Sequence, residues 1–400
     1  MNHPQMETPI NITMAKKGGI PDSYIVILKE TSDQGAHVFW VKSLEERYKD
    51  SDVLCKLICE YEAVKGYAAT LTKAALEAVA RSPDIDQIVQ DTVVTEAGEV
   101  EGSGEIEAKV IQHDASWGLD RISTRYDWDR DNDPEYLNYH YRVDPEEKRA
   151  DVDVYVLDSG IYVNHDDFEG RASWGKTMDP DFRHQDKDVG GHGTHCAAII
   201  AGRRWGACKE AKVIAVKVTE DGGGAARITA KGIDWVITRV AGTKRPSVIS
   251  ASISSSEHPG LDAWAKKAVA TGIHVCAAAG NEREDASGYS PGRVPEVITV
   301  GATRIDDHKE PSSNFGSAVD IFAPGAHIYS AGIKSPSSKR WATGTSVATP
   351  HVAGVVAYRL HRKGKQTPKE IRDWLIDESV ENVLHHIGED SPNRLLSNGA

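Results

Sequence analysis

Asp151-Val152-Asp153-Val154-Tyr155-Val156-Leu157-Asp158-Ser159-Gly160 is a run of β-branched and aromatic residues that stops on an acid and a turn pair. That is the pattern of a buried strand carrying a polar side chain out at its C-terminal end. Working outward, Val213 to Val218, Val248 to Ile253, Ile273 to Ala279 and Val297 to Gly301 are further apolar runs of strand length. Between them Ile233, Val236, Ile237 and Val240 recur at i, i+3, i+4 and i+7, as do Leu261, Trp264, Ala265 and Ala268, each set marking one helical face. Strands alternating with helices predict an α/β unit with a doubly wound, mostly parallel sheet and helices on both faces. Thr367-Pro368-Lys369-Glu370 combines a capping box with proline at the first helical position, so a last helix starts there and the fold reaches almost to the C-terminus.

Upstream the pattern differs. Residues 1–21 carry no apolar h-region of a secretory signal and are expected to be disordered. From Tyr24-Ile25-Val26-Ile27-Leu28 to Val94 the reading is strand, helix, strand, helix, strand, with Lys73 to Ala80 helical and Pro83 a break, a small α+β domain over 22–95. Residues 96–112 are dense in glycine and glutamate, an acidic linker open to proteolysis and a natural place for a processing cut, and the larger domain occupies 113–400.

Composition narrows the function classes. The chain has 400 residues, a formal net charge of -13 and no long apolar run, which argues against a polyanion partner and against a membrane span. Five cysteines, odd in number and sparse, do not make a disulfide framework and are expected to be free thiols, which points to a reducing compartment.

In doubly wound sheets the loops leaving the strand C-terminal ends converge, so polar residues there are candidates for a site. Asp158 is one, although an Asp before Ser-Gly is also an ordinary turn cap. His192 lies in Gly190-Gly191-His192-Gly193-Thr194-His195-Cys196, leading into small residues suited to a close-packed helix. His195, one turn on, raises a two-histidine metal site, but the acid such a zinc helix carries is missing, and a hydrogen bond within the core suits His195 better. Ser346, in Thr343-Gly344-Thr345-Ser346-Val347-Ala348-Thr349-Pro350, is either a plain helix cap or a nucleophile whose neighbouring N–H groups face a reacting carbonyl. The surrounding residues are not the Gly-x-Ser-x-Gly elbow of α/β-hydrolases. Taken together, Asp158, His192 and Ser346 supply an orienting carboxylate, a base and a hydroxyl nucleophile. Asn281, after Ala277-Ala278-Ala279-Gly280, either stabilises a loop or holds an oxyanion with the backbone N–H of Ser346.

Asp158-Ser159-Gly160, Gly191-His192-Gly193-Thr194-His195, Ala279-Gly280-Asn281 and Gly344-Thr345-Ser346 resemble, in that order, the subtilisin-like serine peptidases, and most of all the proteinase K subfamily. Ser116-Trp117-Gly118-Leu119-Asp120-Arg121-Ile122 looks like the start of that family's mature enzyme, and Tyr24 to Val94 is similar to the inhibitor I9 propeptide, a ferredoxin-like α+β domain. The resemblance implies a serine endopeptidase made as a self-processing zymogen, with proteins and peptides as substrates and its own propeptide as inhibitor. It implies substrate contacts along Gly222, Gly223, Ser252, Ile253, Ser254, Ser255 and Gly280. It implies no cofactor for the chemistry, and a structural calcium held by carbonyls of Pro295 and Val297 and the carboxylate of Asp320. Two rival readings are a catalytically silent member of the fold used as a binding module and a serine hydrolase of esters.

The chain departs from the family at Val347, where methionine is usual, and at Ser252-Ile253-Ser254-Ser255, where relatives carry Ser-Leu-Gly-Gly. Ile298 stands where secreted relatives have a paired cysteine, while Cys196 matches a free one beside the active histidine.

Overall fold

The computed structural model describes residues 10, 12–14, 19–29, 31–47, 55–61, 65–92, 110–125, 133–143, 150–220 and 223–400. The chain divides into two compact units, Met1–Gly104 and Glu105–Ala400. Residues 96–109 of the expected linker, and Gly222, lie outside the described residues.

The first unit contains β1 (Ile12–Thr13), β2 (Gly19–Leu28), α1 (Gln34–Arg47), β3 (Cys55–Tyr61), β4 (Gly66–Leu71), α2 (Lys73–Val79) and β5 (Ile85–Thr92). Its five-stranded sheet has the order β1-β5-β2-β4-β3. Val26, Tyr67, Leu71, Ile85 and Ile88 from the strands bury against Val41, Ala75 and Val79 from the helices, giving this small unit a core of its own. The expectation of disorder over 1–21 does not hold for Ile10, Ile12, Thr13 and Gly19 to Pro21, while residues 1–9, 11 and 15–18 lie outside the described residues. Ile12 and Thr13 pair in parallel with Ile88 and Val89, the Ile10 N–H donates to Ala80 O at 3.0 Å, and Ile10 and Ile12 pack on the core. Two isoleucines in a polar stretch suffice to dock an edge strand, a signal too short to read as a strand by periodicity.

The second unit opens with β6 (Val110–Ala115), α3 (Trp117–Ile122) and β7 (Tyr139–Val143). Val110, Ile111 and Gln112, expected in the linker, pair instead with β7. There follow β8 (Asp153–Asp158), β9 (Ala172–Thr177), α4 (His192–Ala201), β10 (Lys212–Lys217), α5 (Ala226–Thr243), β11 (Ser247–Ala251), β12 (Ser255–Ser256), α6 (Pro259–Ala270), β13 (His274–Ala278), β14 (Tyr289–Ser290), β15 (Ile298–Thr303) and β16 (Ile321–Pro324). The unit ends with β17 (Ile328–Ala331), β18 (Lys339–Ala342), α7 (Thr345–Lys363), α8 (Pro368–Glu378), β19 (Val380–Glu381) and β20 (Arg394–Leu395).

The nine-stranded sheet has the order β19-β20-β16-β15-β13-β11-β8-β10-β9, parallel throughout except for the β19/β20 pair. Alternation along each strand sends side chains to two separate cores. Val154, Val156, Val213, Ala215 and Val248 bury with Ile199 and Ile200 of α4 and Val352 and Val355 of α7. Tyr155, Leu157, Ile214, Val216 and Ile249 bury on the other face with Ile233 and Val236 of α5 and Leu261, Ala265 and Ala268 of α6. Trp264, expected on that buried face, is 37% exposed. The capping box of Thr367 and Glu370 is formed, with Pro368 in the first turn of α8. Cys55, Cys196, Cys208 and Cys276 are buried and, among the described residues, form no disulfide. Among the described residues, no helix is long and apolar enough to cross a membrane.

Candidate active site

Asp158 is the last residue of β8, at the C-terminal edge of the sheet's central strands, and its side chain is almost wholly buried. Its Oδ1 accepts the N–H of Ser159 at 2.7 Å, which fixes the carboxylate, and the two carboxylate oxygens lie 2.8 and 3.0 Å from His192 Nδ1. His192 begins α4, and its Nε2 is 3.1 Å from Ser346 Oγ in the first turn of α7. Close approach of α4 to the end of β8 depends on Gly193, where a Cβ would stand 2.1 Å from Gly160 O. Ser346, so near its helix N-terminus, has a backbone N–H with no intrahelical partner, and the helix dipole favours negative charge at that spot.

The Asp158 carboxylate, as the leading cause, holds the His192 pKa well above its usual value. Burial pushes the Cys196 thiol up, so this neighbour, whose Sγ is 4.0 Å from His192 Nδ1 and 3.4 Å from Ser346 O, stays neutral. His195, the second histidine of the motif, is fully buried, its Nε2 2.9 Å from Ile328 O, and burial lowers its pKa to about 3. Its hydrogen bond lies inside the core, as the sequence suggests. Among the described residues the convergent metal-ligand group is Asp158, His192 and Cys196. There the His192–Asp158 bond and the neutral thiol leave an orienting carboxylate and a base in place of a ligand set.

Asn281 follows β13. Its Oδ1 accepts from the Thr345 N–H at 2.8 Å and from Thr345 Oγ1 at 3.0 Å. With the carbonyl end of the amide committed to Thr345, the NH₂ end is turned to the cleft beside Ser346. Gly280 takes φ +104°, and a Cβ there would stand 2.3 Å from Asn314 Nδ2.

Asp158, His192, Asn281, Ser346, Gly223, Ser252, Ile253, Ser254 and Ser255 line one cleft of about 580 Å³. Gly280 sits behind this lining, and its N–H donates to Thr345 Oγ1 at 3.2 Å. Ser255 and Ser256 form β12, paired antiparallel with Ser290 and Tyr289 of β14, while Ser255 Oγ donates to Ser256 O at 3.1 Å.

Two buried residues that sequence reasoning missed hold this geometry. Asp188 Oδ1 accepts from Ser159 Oγ at 2.9 Å and from the Gly191 N–H at 2.8 Å, and its Oδ2 accepts from Thr194 N and Oγ1 at 3.0 and 2.6 Å. It therefore ties the loop after β8 to the first turn of α4, with its charge at the favourable end of the helix. Asn314 clamps the Asn281 loop, with Oδ1 taking the N–H groups of Glu282 and Glu284, both at 2.9 Å, and Nδ2 donating to Ala279 O at 2.9 Å. The signal for Asp188 was an acid four residues before the glycine-flanked helix start at His192; Asn314 offered none.

Of the residues expected to hold calcium, Val297 is buried and Pro295 exposed at the turn before β15. Both oxygens of Asp320 are already engaged: Oδ2 accepts the Thr299 N–H at 2.8 Å and Oδ1 accepts Arg372 Nε at 3.0 Å. A carboxylate bonded in this way by a guanidinium does not fit the oxygen cage of a divalent ion.

Comparison with known proteins shows the family. Residues 149–399 match the model of the subtilase family, peptidase S8, and residues 23–96 match peptidase inhibitor I9. The subtilisin-like serine protease Pen ch 18 of Penicillium rubens is 35% identical, over 98% of this chain and 83% of its own length. Subtilisin-like protease 8 of Arthroderma otae is 35% identical, over 95% of this chain and 82% of its own. A crystal structure of a cold adapted subtilisin-like serine proteinase superposes with a TM-score of 0.62 at 34% identity, covering 72% of this chain and 99% of that one.

Proposed function

The chain belongs to the subtilase family and is a serine endopeptidase, and from that premise we propose that Asp158, His192, Ser346 and Asn281 carry its chemistry. The observation that supports this reading best is the unbroken run of hydrogen bonds from Asp158 through His192 to Ser346, 2.8 and 3.1 Å long, opening on a cleft.

A serine hydroxyl is a weak nucleophile until its proton has somewhere to go. His192 Nε2 takes that proton as Ser346 Oγ attacks the scissile carbonyl, and Asp158, bonded to Nδ1, fixes the tautomer and stabilises the imidazolium. Negative charge on the carbonyl oxygen is met by the Asn281 NH₂ and the Ser346 N–H; in subtilisin, loss of the amide donor costs about 10²–10³ in turnover. His192 then returns the proton to the leaving amine, and water repeats the sequence to free the acyl-enzyme. The substrate lies along Gly223 and Ser252 to Ser255.

The I9-like unit makes the chain a zymogen: the enzyme cuts within 96–112, and the released unit stays in the cleft as an inhibitor until it is degraded. Intact-mass analysis with a fluorophosphonate probe tests the nucleophile. One adduct on the parent protein and none on Ser346→Ala is expected; equal labelling of both would remove Ser346 from this role. Against the silent binding module stands the bonded Asp158–His192–Ser346 run; against the ester hydrolase stands the match of residues 23–96 to a family of peptidase inhibitors.

A further inference from the structure

Asp320 is the one carboxylate that the family likeness assigns to calcium, and the group seated on it belongs to the chain itself. The residue is fixed to β15 by its N–H, which donates to Thr299 O at 2.9 Å, and by Oδ2, which accepts the Thr299 N–H at 2.8 Å. Its other oxygen accepts both Nε, at 3.0 Å, and Nη2 of Arg372. Arg372 lies in α8, whose start is held by the Thr367–Glu370 capping box, so the donor arrives on a rigid element. The Asp320 side chain is 10% exposed and that of Arg372 38%, so the guanidinium closes the carboxylate off from water on the outer side. Burial pushes the Asp320 carboxyl above its usual range, while Arg372, the Thr299 N–H and the nearby Arg394 pull against that rise.

Calcium needs six to eight oxygens at about 2.3–2.6 Å. A guanidinium offers donors alone and keeps its charge at any working pH. An ion entering here would have to evict Arg372 and then sit beside two guanidinium groups. We infer that Arg372 is the resident cation of this site: a tethered guanidinium takes the place of a divalent ion between the edge of β15 and β16 and helix α8. Thr299, the residue that Asp320 holds, donates its hydroxyl to Gly292 O in the turn that leads out of β14, whose Ser290 lines the substrate cleft. One wall of the cleft therefore keeps its support when free calcium is absent.

The test is the Asp320-dependent part of the melting response to calcium, measured on the full chain carrying Ser346→Ala to prevent self-digestion. Melting in EDTA is compared with melting in millimolar calcium chloride, with and without Asp320→Asn. With Arg372 present the expected difference attributable to Asp320 is zero. Arg372→Ala should melt lower in EDTA by about 5 °C or more, since an uncompensated buried carboxylate remains. In that background calcium should recover part of the loss, because the freed oxygens can bind it. Arg372→Lys, which keeps the charge with fewer donors, should fall in between and covers the case in which the alanine variant does not fold. A calcium-induced rise in the Arg372-containing chain that Asp320→Asn abolishes would overturn the inference. So would an Arg372→Ala protein that melts like its parent in EDTA.

Discussion

The 2.8 Å contact between Asp158 Oδ1 and His192 Nδ1 sets the pH range in which His192 can serve as a base. The carboxylate favours the imidazolium, so the folded pKa lies well above the ordinary 6.5. Two consequences of opposite sign follow. A raised folded pKa means that the pair stabilises the fold fully below pH 6.5 and that this contribution is lost as pH climbs through the raised value. Catalysis needs the neutral ring, so kcat/KM should rise through that same value. The acid limb of the kcat/KM profile is therefore expected above pH 6.5, and in Asp158→Asn it should move down towards the ordinary histidine range. The plateau should fall by about 10⁴, the loss known for this change in the chymotrypsin triad. A limb unmoved in Asp158→Asn would show that another group sets it. The residues of this chemistry were legible because each ends or begins an element with a strong local pattern. Asp188 was not, because what distinguishes it is its bonds to Ser159, Gly191 and Thr194, from two segments that only the fold brings together.

At the scale of elements, the five long central strands could be read, while the four-residue β16, the two-residue β20 and the edge strand β9 could not. β8, β10, β11, β13 and β15 are apolar runs because both of their faces are covered. β9 lies at the sheet edge, with partly exposed residues and Gly175 where a Cβ would stand 2.6 Å from Ala215 O, and β20 has two residues, so neither shows a period. The short strand β12 matters most for specificity. Ser255 is pinned by its pairing with Ser290 and turns its hydroxyl onto Ser256 O at 3.1 Å, while Ser254 stands exposed on the same cleft wall. Where relatives present bare glycine backbone, this wall carries two extra Cβ atoms and two hydroxyls. Overlap with a bulky side chain costs on the order of 1–3 kcal/mol, which should favour small residues before the cut over aromatic ones. In a Ser254→Gly, Ser255→Gly double variant the kcat/KM ratio for Phe over Ala at that position should rise about tenfold for each 1.4 kcal/mol of overlap removed. A ratio that stays level or drops would mean that these serines do not shape the pocket.

For the whole molecule, the decisive fact is that one chain carries a subtilase unit and, ahead of it, an I9 unit with its own sheet and its own buried core. An inhibitor with a separate core can keep its shape once the connecting segment is cut, as release followed by continued inhibition requires. Its boundary matters. Ile10 packs on the core and bonds Ala80, and β1 pairs with β5, so a fragment beginning at residue 22 would lack an edge strand and the first three residues of β2. A fragment covering residues 10–95 is the better reagent. Added to the mature enzyme, it should inhibit peptide hydrolysis at sub-micromolar concentration, a binding free energy of about −8 kcal/mol or better. The fragment beginning at 22 should be weaker, because part of its binding would go into ordering an incomplete sheet. Full-length Ser346→Ala, purified alone, should accumulate uncut, since the nucleophile that removes the I9 unit is the one that cleaves substrates. Adding a trace of active enzyme should then restore the cut at the same bond within 96–112. Self-cleavage of the Ser346→Ala chain on its own would show that another nucleophile makes the processing cut, and unchanged hydrolysis at saturating 10–95 fragment would leave the I9 unit as a folding aid without an inhibitory role.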